Sequence, residues 1–168
     1  LMLRHSAQTL LAPQEYDLKD FVMSVDEDVR GSFAESVQTL QGLVFILDDN
    51  IELAKQQFQS VLEKTDNPMS KTSSQLYLLQ VALMEGDNKR AEEYASIRGV
   101  KSFLSIKTAD MQVIQAWYQF KVKKDVVQTH KAMKIAKQKM DSSRMLRDEK
   151  RYYENWLAEL EKELTEGV

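Results

Sequence analysis

The hydrophobic residues of this chain recur at helical spacing over most of its length. In residues 32–48, successive apolar side chains lie three or four positions apart, as one face of an α-helix requires. They are Phe33, Val37, Leu40, Val44 and Leu47. Comparable spacing returns in residues 51–64, 70–85, 88–97, 108–123, 126–140 and 146–164. The pattern predicts an all-α protein.

Polar turn and cap residues separate the central apolar segments. Gly86 suits the left-handed position just past a helix end, and Asp87 or Asn88 can cap the helix that follows. Asp48–Asn50 and Lys124–Asp125 stand at corresponding places between two other pairs of segments. Each turn therefore predicts a pair of antiparallel helices.

The remaining boundaries are set by other signals. Asn67-Pro68 ends one helix, because proline cannot continue the hydrogen-bond ladder. Asp141–Ser143 is expected to cap the last helix, and Arg98–Lys107 is expected to be a longer connection or a helix end. Near the N-terminus, Met2–Leu11 and Glu15–Val25 predict two further short helices.

The three turns also indicate an internal repeat. Aligning them places Ala54, Ala91 and Thr129 at equivalent positions, with the second interval one position longer than the first. Each is a small residue in the first turn of a second helix, where two helices can approach closely. Other equivalent positions are Phe45, Ala82 and Phe120 in the first helices, and Phe58, Ala95 and Met133 in the second. We expect three similar helical hairpins.

On these residues the chain resembles the tetratricopeptide repeat (TPR) family over about residues 34–140. The first hairpin carries Gly42, Phe45, Ala54 and Phe58 at the family's spacings, the second keeps Leu78 and Ala91, and the third keeps Phe120 and Ala136. The early tryptophan of the family is missing throughout, and the period exceeds the usual length of about 34 residues. An ordinary helical bundle is the alternative.

The resemblance implies a right-handed solenoid of stacked antiparallel hairpins in a single domain, residues 1–168. Its parts would be N-terminal helices in 1–30, hairpins at 32–66, 70–98 and 108–140, and a C-terminal capping helix at 141–166. The first helix of each hairpin would line a concave groove for an extended or helical apolar peptide. The groove candidates are Thr39, Leu43, Ser73, Leu76, Gln80, Met111, Ile114, Tyr118 and Lys121.

Candidate catalytic chemistry is sparse. The 168 residues include no cysteine and two histidines, so thiol nucleophiles, disulfides and zinc–cysteine clusters are excluded. No phosphate-binding loop or nucleophile elbow is present. The paired acids Asp48-Asp49 and Glu92-Glu93 diverge by about 100° on a helix and cannot converge on one atom, and His130 is expected to be a surface residue. We predict a non-enzyme without a metal or cofactor.

Charge is unevenly distributed. Residues 121–151 hold 11 Lys/Arg against 4 Asp/Glu, whereas the chain as a whole has a net charge of −3. Such a segment can attract nucleic acid or an anionic surface. However, Lys131 and Lys134 point away from the apolar face of their helix, and no aromatic residue there offers base stacking. The interpretation favoured is an amphipathic helix balanced in part by neighbouring acids.

The sequence therefore predicts a non-enzymatic scaffold or adaptor that binds a protein or peptide. A peptide-sensing regulatory domain and a binder of nucleic acid or anionic surfaces are the alternatives, and self-association could use the apolar stripe of the last helix. Apolar runs such as Leu43–Leu47 are far shorter than a membrane span. We expect a cytoplasmic location, although the chain begins at Leu1 and leaves room for upstream segments.

Overall fold

A computed structural model describes residues 15–25 and 33–167 of the chain. The described helices are α1 (Leu18–Met23), α2 (Ala34–Leu47), α3 (Ile51–Lys64), α4 (Pro68–Glu85), α5 (Asn88–Ala95), α6 (Arg98–Leu104), α7 (Ala109–Tyr118), α8 (Val126–Met140) and α9 (Arg147–Glu166). A π-helical turn at Gln119–Lys123 continues α7. The all-α prediction is confirmed for these residues, which contain no strand. The predicted helix at Met2–Leu11 lies outside them.

Three hairpins follow from the turns that the sequence marks. The residues just past α2, α4 and the π-helical turn are Asp49, Gly86 and Lys124, and all three have left-handed backbone, with φ of 59°, 76° and 54°. Asp87 then caps α5 by accepting a hydrogen bond from the amide of Arg90. Asp125 caps α8 in the same way. The left-handed residue is common to the three corners, but the side-chain cap is made only in the second and third, since the side chain of Asn50 before α3 makes no such bond.

The small residues after these corners are completely buried. Ala54, Ala91 and Thr129 have no exposed surface. In the first hairpin the close approach also needs a glycine, because a Cβ atom on Gly42 would lie 2.5 Å from the ring of Phe58. Phe58 is itself fully buried, so the ring has little room to move. The repeat positions in the sequence therefore mark real helix contacts.

The π-helical turn accounts for the unequal repeat lengths. The amides of Asn50 and Asp87 bond to the carbonyls five positions back, whereas the amide of Asp125 bonds to Gln119, six positions back. One extra residue thus lies between the first helix and the turn of the third hairpin. For positions that precede this extra residue, the first and second hairpins are offset by the same number of residues as the second and third. Leu43, Gln80 and Trp117 are therefore equivalent.

Two boundaries differ from the prediction. The second helix of the middle hairpin ends at Ala95, and a separate α6 begins at Arg98, where the sequence predicts a connection or a helix end. Asp141–Ser143 does not cap the last helix, which begins only at Arg147. Those three residues instead close a turn after α8, where the amide of Ser143 bonds to the carbonyl of Met140.

The buried side chains form two clusters along the chain. The first cluster joins α1, α2, α3 and one side of α4. The second joins the other side of α4 to α5, α6, α7 and α8. Helix α9 contributes to both: Leu146, just before it, belongs to the first cluster, and Tyr153, Trp156, Leu157 and Leu160 belong to the second. The last helix is therefore part of the core rather than an addition at one end.

Candidate interaction surfaces

Most of the predicted groove residues are inside the protein. Seven of them are buried: Thr39, Leu43, Leu76, Gln80, Met111, Ile114 and Tyr118. Ser73 and Lys121 are partly exposed. A partner therefore cannot reach the seven buried positions of the predicted groove. The chain's own last helix covers some of them.

Helix α9 lies against the first helices of the hairpins. The hydroxyl of Tyr153 donates a hydrogen bond of 3.0 Å to Oε1 of Gln80 on α4. One turn further on, Trp156 stacks on Trp117 of α7 with ring centres 5.4 Å apart. The indole nitrogen of Trp117 also donates to the carbonyl oxygen of Trp156 at 3.1 Å. Two repeat-equivalent positions, Gln80 and Trp117, therefore hold successive turns of α9.

The beginning of α9 is fastened to α1. The carboxylate of Asp148 accepts hydrogen bonds from the amides of Leu18 and Lys19, at 2.6 and 3.1 Å. In return Arg147 donates twice to Asp17, at 2.8 and 2.9 Å. The hydrogen bonds from Arg147 hold the pKa of Asp17 below its usual value. These two reciprocal contacts join the first described helix to the last.

A buried carboxyl group lies beside this fastening. Glu149 accepts a hydrogen bond from the amide of Leu146 at 3.2 Å. Burial is the main reason that the pKa of Glu149 is raised to about 7; the hydrogen bond from Leu146 acts against the rise, and the nearby carboxylates of Asp110 and Asp148 add to it. A cavity of about 460 Å³ opens next to it, with Lys107, Lys139 and Arg144 in its wall. The hydroxyl groups of Thr108, Ser142 and Ser143 also line this cavity.

Helix α9 is too deeply packed to act as a readily displaced ligand. Tyr153, Trp156, Leu157 and Leu160 are each at most 7% exposed. Burying a side chain of this size contributes about 1.5–3 kcal/mol, so the four together contribute roughly 6–12 kcal/mol. A whole domain is stable by only about 5–15 kcal/mol. A partner that replaced α9 would have to offset an amount comparable to unfolding.

An open concavity lies between α8 and α9, and we call it the terminal groove. It has a volume of about 700 Å³. Its apolar lining is Phe120, Val126, Met133 and Leu164, and its charged flanks include Lys137 on α8 and Glu161 on α9. Val126 is 56% exposed and its neighbour Val127 is 75% exposed. Contiguous exposed apolar surface of this kind is typical of interaction sites.

The basic segment is partly neutralised within the chain. Four of its cations form ion pairs with acids of other elements: Lys121 with Glu163, Lys123 with Glu92, Lys137 with Glu161, and Arg147 with Asp17. Lys121 also lies 5.7 Å from the ring centre of Trp117. Two of these pairs bridge to α9 at the terminal groove. This agrees with the predicted balance between the basic helix and its acidic neighbours.

The sequence pattern does not predict the terminal groove. By its spacing, Val126 shares one face of α8 with Met133, Ala136 and Met140, which predicts that it faces inward, and the stripe of the last helix is predicted to be a possible self-association surface. The structure buries Tyr153, Leu157 and Leu160 of that stripe, so it is not free for a second copy. The adjacent Val126-Val127 pair is the available signal, because two neighbouring helical positions cannot both face inward.

Other kinds of site find no support in the described part of the chain. Residues 15–25 and 33–167 contain no group of three or more His, Asp or Glu that could hold a metal ion. His130 is exposed at the terminal groove. None of the described helices has the length and apolar character needed to cross a bilayer. Comparisons with protein-family models, curated proteins and solved structures found no match.

Proposed function

We propose that this chain is a non-enzymatic protein-interaction module whose partner docks in the terminal groove. The observation that carries the proposal is an open, largely apolar groove of about 700 Å³ between α8 and α9. In helix-in-groove binding, the apolar face of an amphipathic helix is buried in a hydrophobic groove. Phe120, Met133 and Leu164 supply the apolar lining of the terminal groove, and Lys137 and Glu161 supply its charged edges.

A rigid receptor favours such binding. The groove walls belong to helices already fixed by the second cluster, so docking orders few receptor side chains and costs little entropy. The ion pairs of Lys121 with Glu163 and of Lys137 with Glu161 hold α9 against the third hairpin from both flanks. The groove therefore keeps its shape before a partner arrives.

The concave groove expected from the TPR resemblance is the less favoured location. There the equivalent positions Gln80 and Trp117 already contact α9. A partner could bind at that face only after α9 had been displaced, which would cost the burial free energy of α9 estimated above. The terminal groove needs no such rearrangement.

The test compares two substitutions in the same helical turn. Val126→Glu places a carboxylate in the terminal groove, whereas Gln128→Glu places the same charge on the opposite side of α8, where Gln128 lines a separate polar cleft. An acidic residue in the first turn of a helix is tolerated, so both variants should fold. We expect proteins captured by the wild-type chain to be lost with Val126→Glu and retained with Gln128→Glu.

Equal capture by all three chains would overturn the terminal groove as the docking site. If instead a variant that weakens α9, such as Trp156→Ala, captured proteins that the wild type does not, the concave face would be the better assignment. Circular dichroism of each variant shows whether a loss of capture comes from the altered surface or from unfolding of the chain.

A further inference from the structure

The flanks of the terminal groove carry opposite charges. Helix α8 contains no Asp or Glu from Val126 to Met140 but four lysines, of which Lys137 lines the groove and is exposed. The second half of α9, residues 152–166, holds five glutamates and one lysine. At the groove itself the α8 side therefore carries Lys137 and the α9 side carries Glu161 and Glu163, whereas Lys131 and Lys139 line other cavities. We call these two sides the basic flank and the acidic flank.

Such a surface is complementary to itself in one orientation. Rotating a second copy by 180° about an axis along the groove places its acidic flank over the basic flank of the first copy. An axis across the groove would place like charges together, which is unfavourable. Isologous contacts of this type are the commonest form of self-association among soluble proteins.

The apolar residues fit the same orientation. Val126 lines the groove on the basic flank and is 56% exposed. Leu164 lies in the groove on the acidic side. The rotation brings Val126 of one copy toward Leu164 of the other, so exposed apolar surface is covered on both copies at once.

We propose that the terminal groove is a contact between two copies of this chain, related by a two-fold axis along the groove. The inference rests on the proposed function, because it names the partner of the same surface. Lys137 and Glu161 already pair within one copy. In the dimer they form a cluster of four alternating charges across the axis, each lysine facing a glutamate in both copies.

A double charge swap tests this geometry. In Lys137→Glu/Glu161→Lys the ion pair within each copy is kept with its signs exchanged, and so is the contact between two swapped copies. A swapped copy facing a wild-type copy, however, places lysine on lysine and glutamate on glutamate. We expect the wild type and the swapped variant each to dimerise alone. Subunit exchange between the wild type and the swapped variant should be at least about tenfold lower than exchange between two differently tagged wild-type proteins.

Analytical ultracentrifugation over about 1–100 μM measures the dimer, and pull-down through one tag measures the exchange. Val126→Glu should abolish dimerisation, and the matched Lys131→Glu, which lines the polar cleft on the other side of α8, should leave it intact. A wild-type chain that stays monomeric over this range overturns the proposal. Free exchange between wild-type and swapped subunits also overturns it.

These outcomes separate the two proposals. A monomeric wild type whose captured partner is lost with Val126→Glu leaves the interaction module standing and removes only the second copy as its partner. A dimer that is unaffected by Val126→Glu would show that the terminal groove is neither the docking site nor the dimer contact.

Discussion

At the scale of single residues, Glu149 is the least favourably placed charge. It is largely removed from water at the start of α9, with the carboxylates of Asp110 and Asp148 nearby. Its partner, the amide of Leu146, only partly compensates for the loss of solvent. The cations in the wall of the adjacent cavity are not ion-paired with it; they are Lys107, Lys139 and Arg144. Ionising this group therefore opposes folding.

This environment predicts a loss of stability as pH rises. The folded-state pKa of about 7 lies above the ordinary value of 4.5, so the folded chain holds this proton more tightly than the unfolded chain. Stability is fully present below pH 4.5 and is lost as pH rises through 7. At about 1.4 kcal/mol per pKa unit, the free energy of unfolding should fall by about 3 kcal/mol. Urea denaturation at several pH values between 4.5 and 8.5 measures this decrease in the free energy of unfolding.

Glu149→Gln keeps an oxygen for the amide of Leu146 but cannot ionise. Its free energy of unfolding should stay nearly level over the same range and exceed that of the wild type at pH 8.5. Glu154→Gln, on the exposed side of α9, is the matched control and should follow the wild type. A wild type and a Glu149→Gln variant with parallel pH profiles would contradict the assignment.

Residues of the repeat can be identified from the sequence, whereas the burial of Glu149 cannot. Ala54, Ala91 and Thr129 stand out because a small residue after each turn has one common cause, the close approach of two helices. Gly42 follows from the same cause, as the distance of 2.5 Å to the Phe58 ring shows. Asp110 of α7 lies near Glu149 although the two are distant in the chain. Local spacing carries no information on such a contact.

At the scale of elements, the π-helical turn explains why the repeat intervals in the sequence are unequal although the helices before the turns are in the same register. Aligning the turns alone gives two intervals that differ by a single position, and it pairs Phe45 with Phe120. The hydrogen bonds pair Phe45 with Gln119 instead, because the amide of Asp125 reaches one position further back than the amide of Asn50. Inserting a residue by widening one helical turn leaves the remainder of the helix in register, and π-helical turns are usually single insertions of this kind.

We predict that deleting Val122 from the π-helical turn is tolerated. The deletion should restore an ordinary α-helical end like those of α2 and α4, and it leaves the contacts of Trp117 in place. Deleting Gln115 from α7 instead rotates the residues before it by about 100° relative to Trp117, which disrupts the buried face.

Thermal denaturation followed by circular dichroism distinguishes the two deletions. The chain lacking Val122 should unfold cooperatively and lose about 0.5–3 kcal/mol, the range of most single changes, because Val122 packs against the second cluster. The chain lacking Gln115 should be far less stable. If the two deletions proved equally damaging, the extra residue would not lie in the π-helical turn.

Element positions are harder to predict than element existence. The spacing of apolar residues gives α3 and α8 the bounds that the structure has, Ile51–Lys64 and Val126–Met140. The same spacing identifies the buried stripe of α9 but not the helices that cover it. The polar run Asp141–Ser143 suggests a cap, yet the helix begins later in the chain, where Glu149 satisfies the amide of Leu146. Capping residues and turn residues are the same types, and only the fold separates their roles.

At the scale of the whole molecule, α9 changes how the three hairpins should unfold. In a linear repeat array each unit contacts only its neighbours, so distant units can unfold separately. Here Leu146 and Tyr152 reach the first cluster, while Trp156 and Leu160 are embedded in the second. The hydrogen bonds of Asp148 with the amides of Leu18 and Lys19 add a further link to the first cluster. One helix therefore couples the two clusters.

This coupling predicts a single unfolding transition. Both tryptophans, Trp117 and Trp156, lie in the second cluster, so their fluorescence reports that cluster, whereas far-ultraviolet circular dichroism reports every helix. In urea the two signals should change together for the wild type. Separate transitions in the wild type would show that the hairpins unfold independently, with α9 holding only the second cluster.

Weakening the link to the first cluster should separate the two signals. Leu146→Ala removes a buried side chain that joins α9 to that cluster, at a cost of about 2–5 kcal/mol. Its dichroism should then decrease before its fluorescence changes, because the first cluster unfolds while the second is still held by α9. Phe58→Leu weakens the first cluster without altering α9, and its two signals should remain coincident. Coincident signals in Leu146→Ala as well would place the coupling elsewhere, in the helix α4 that both clusters share.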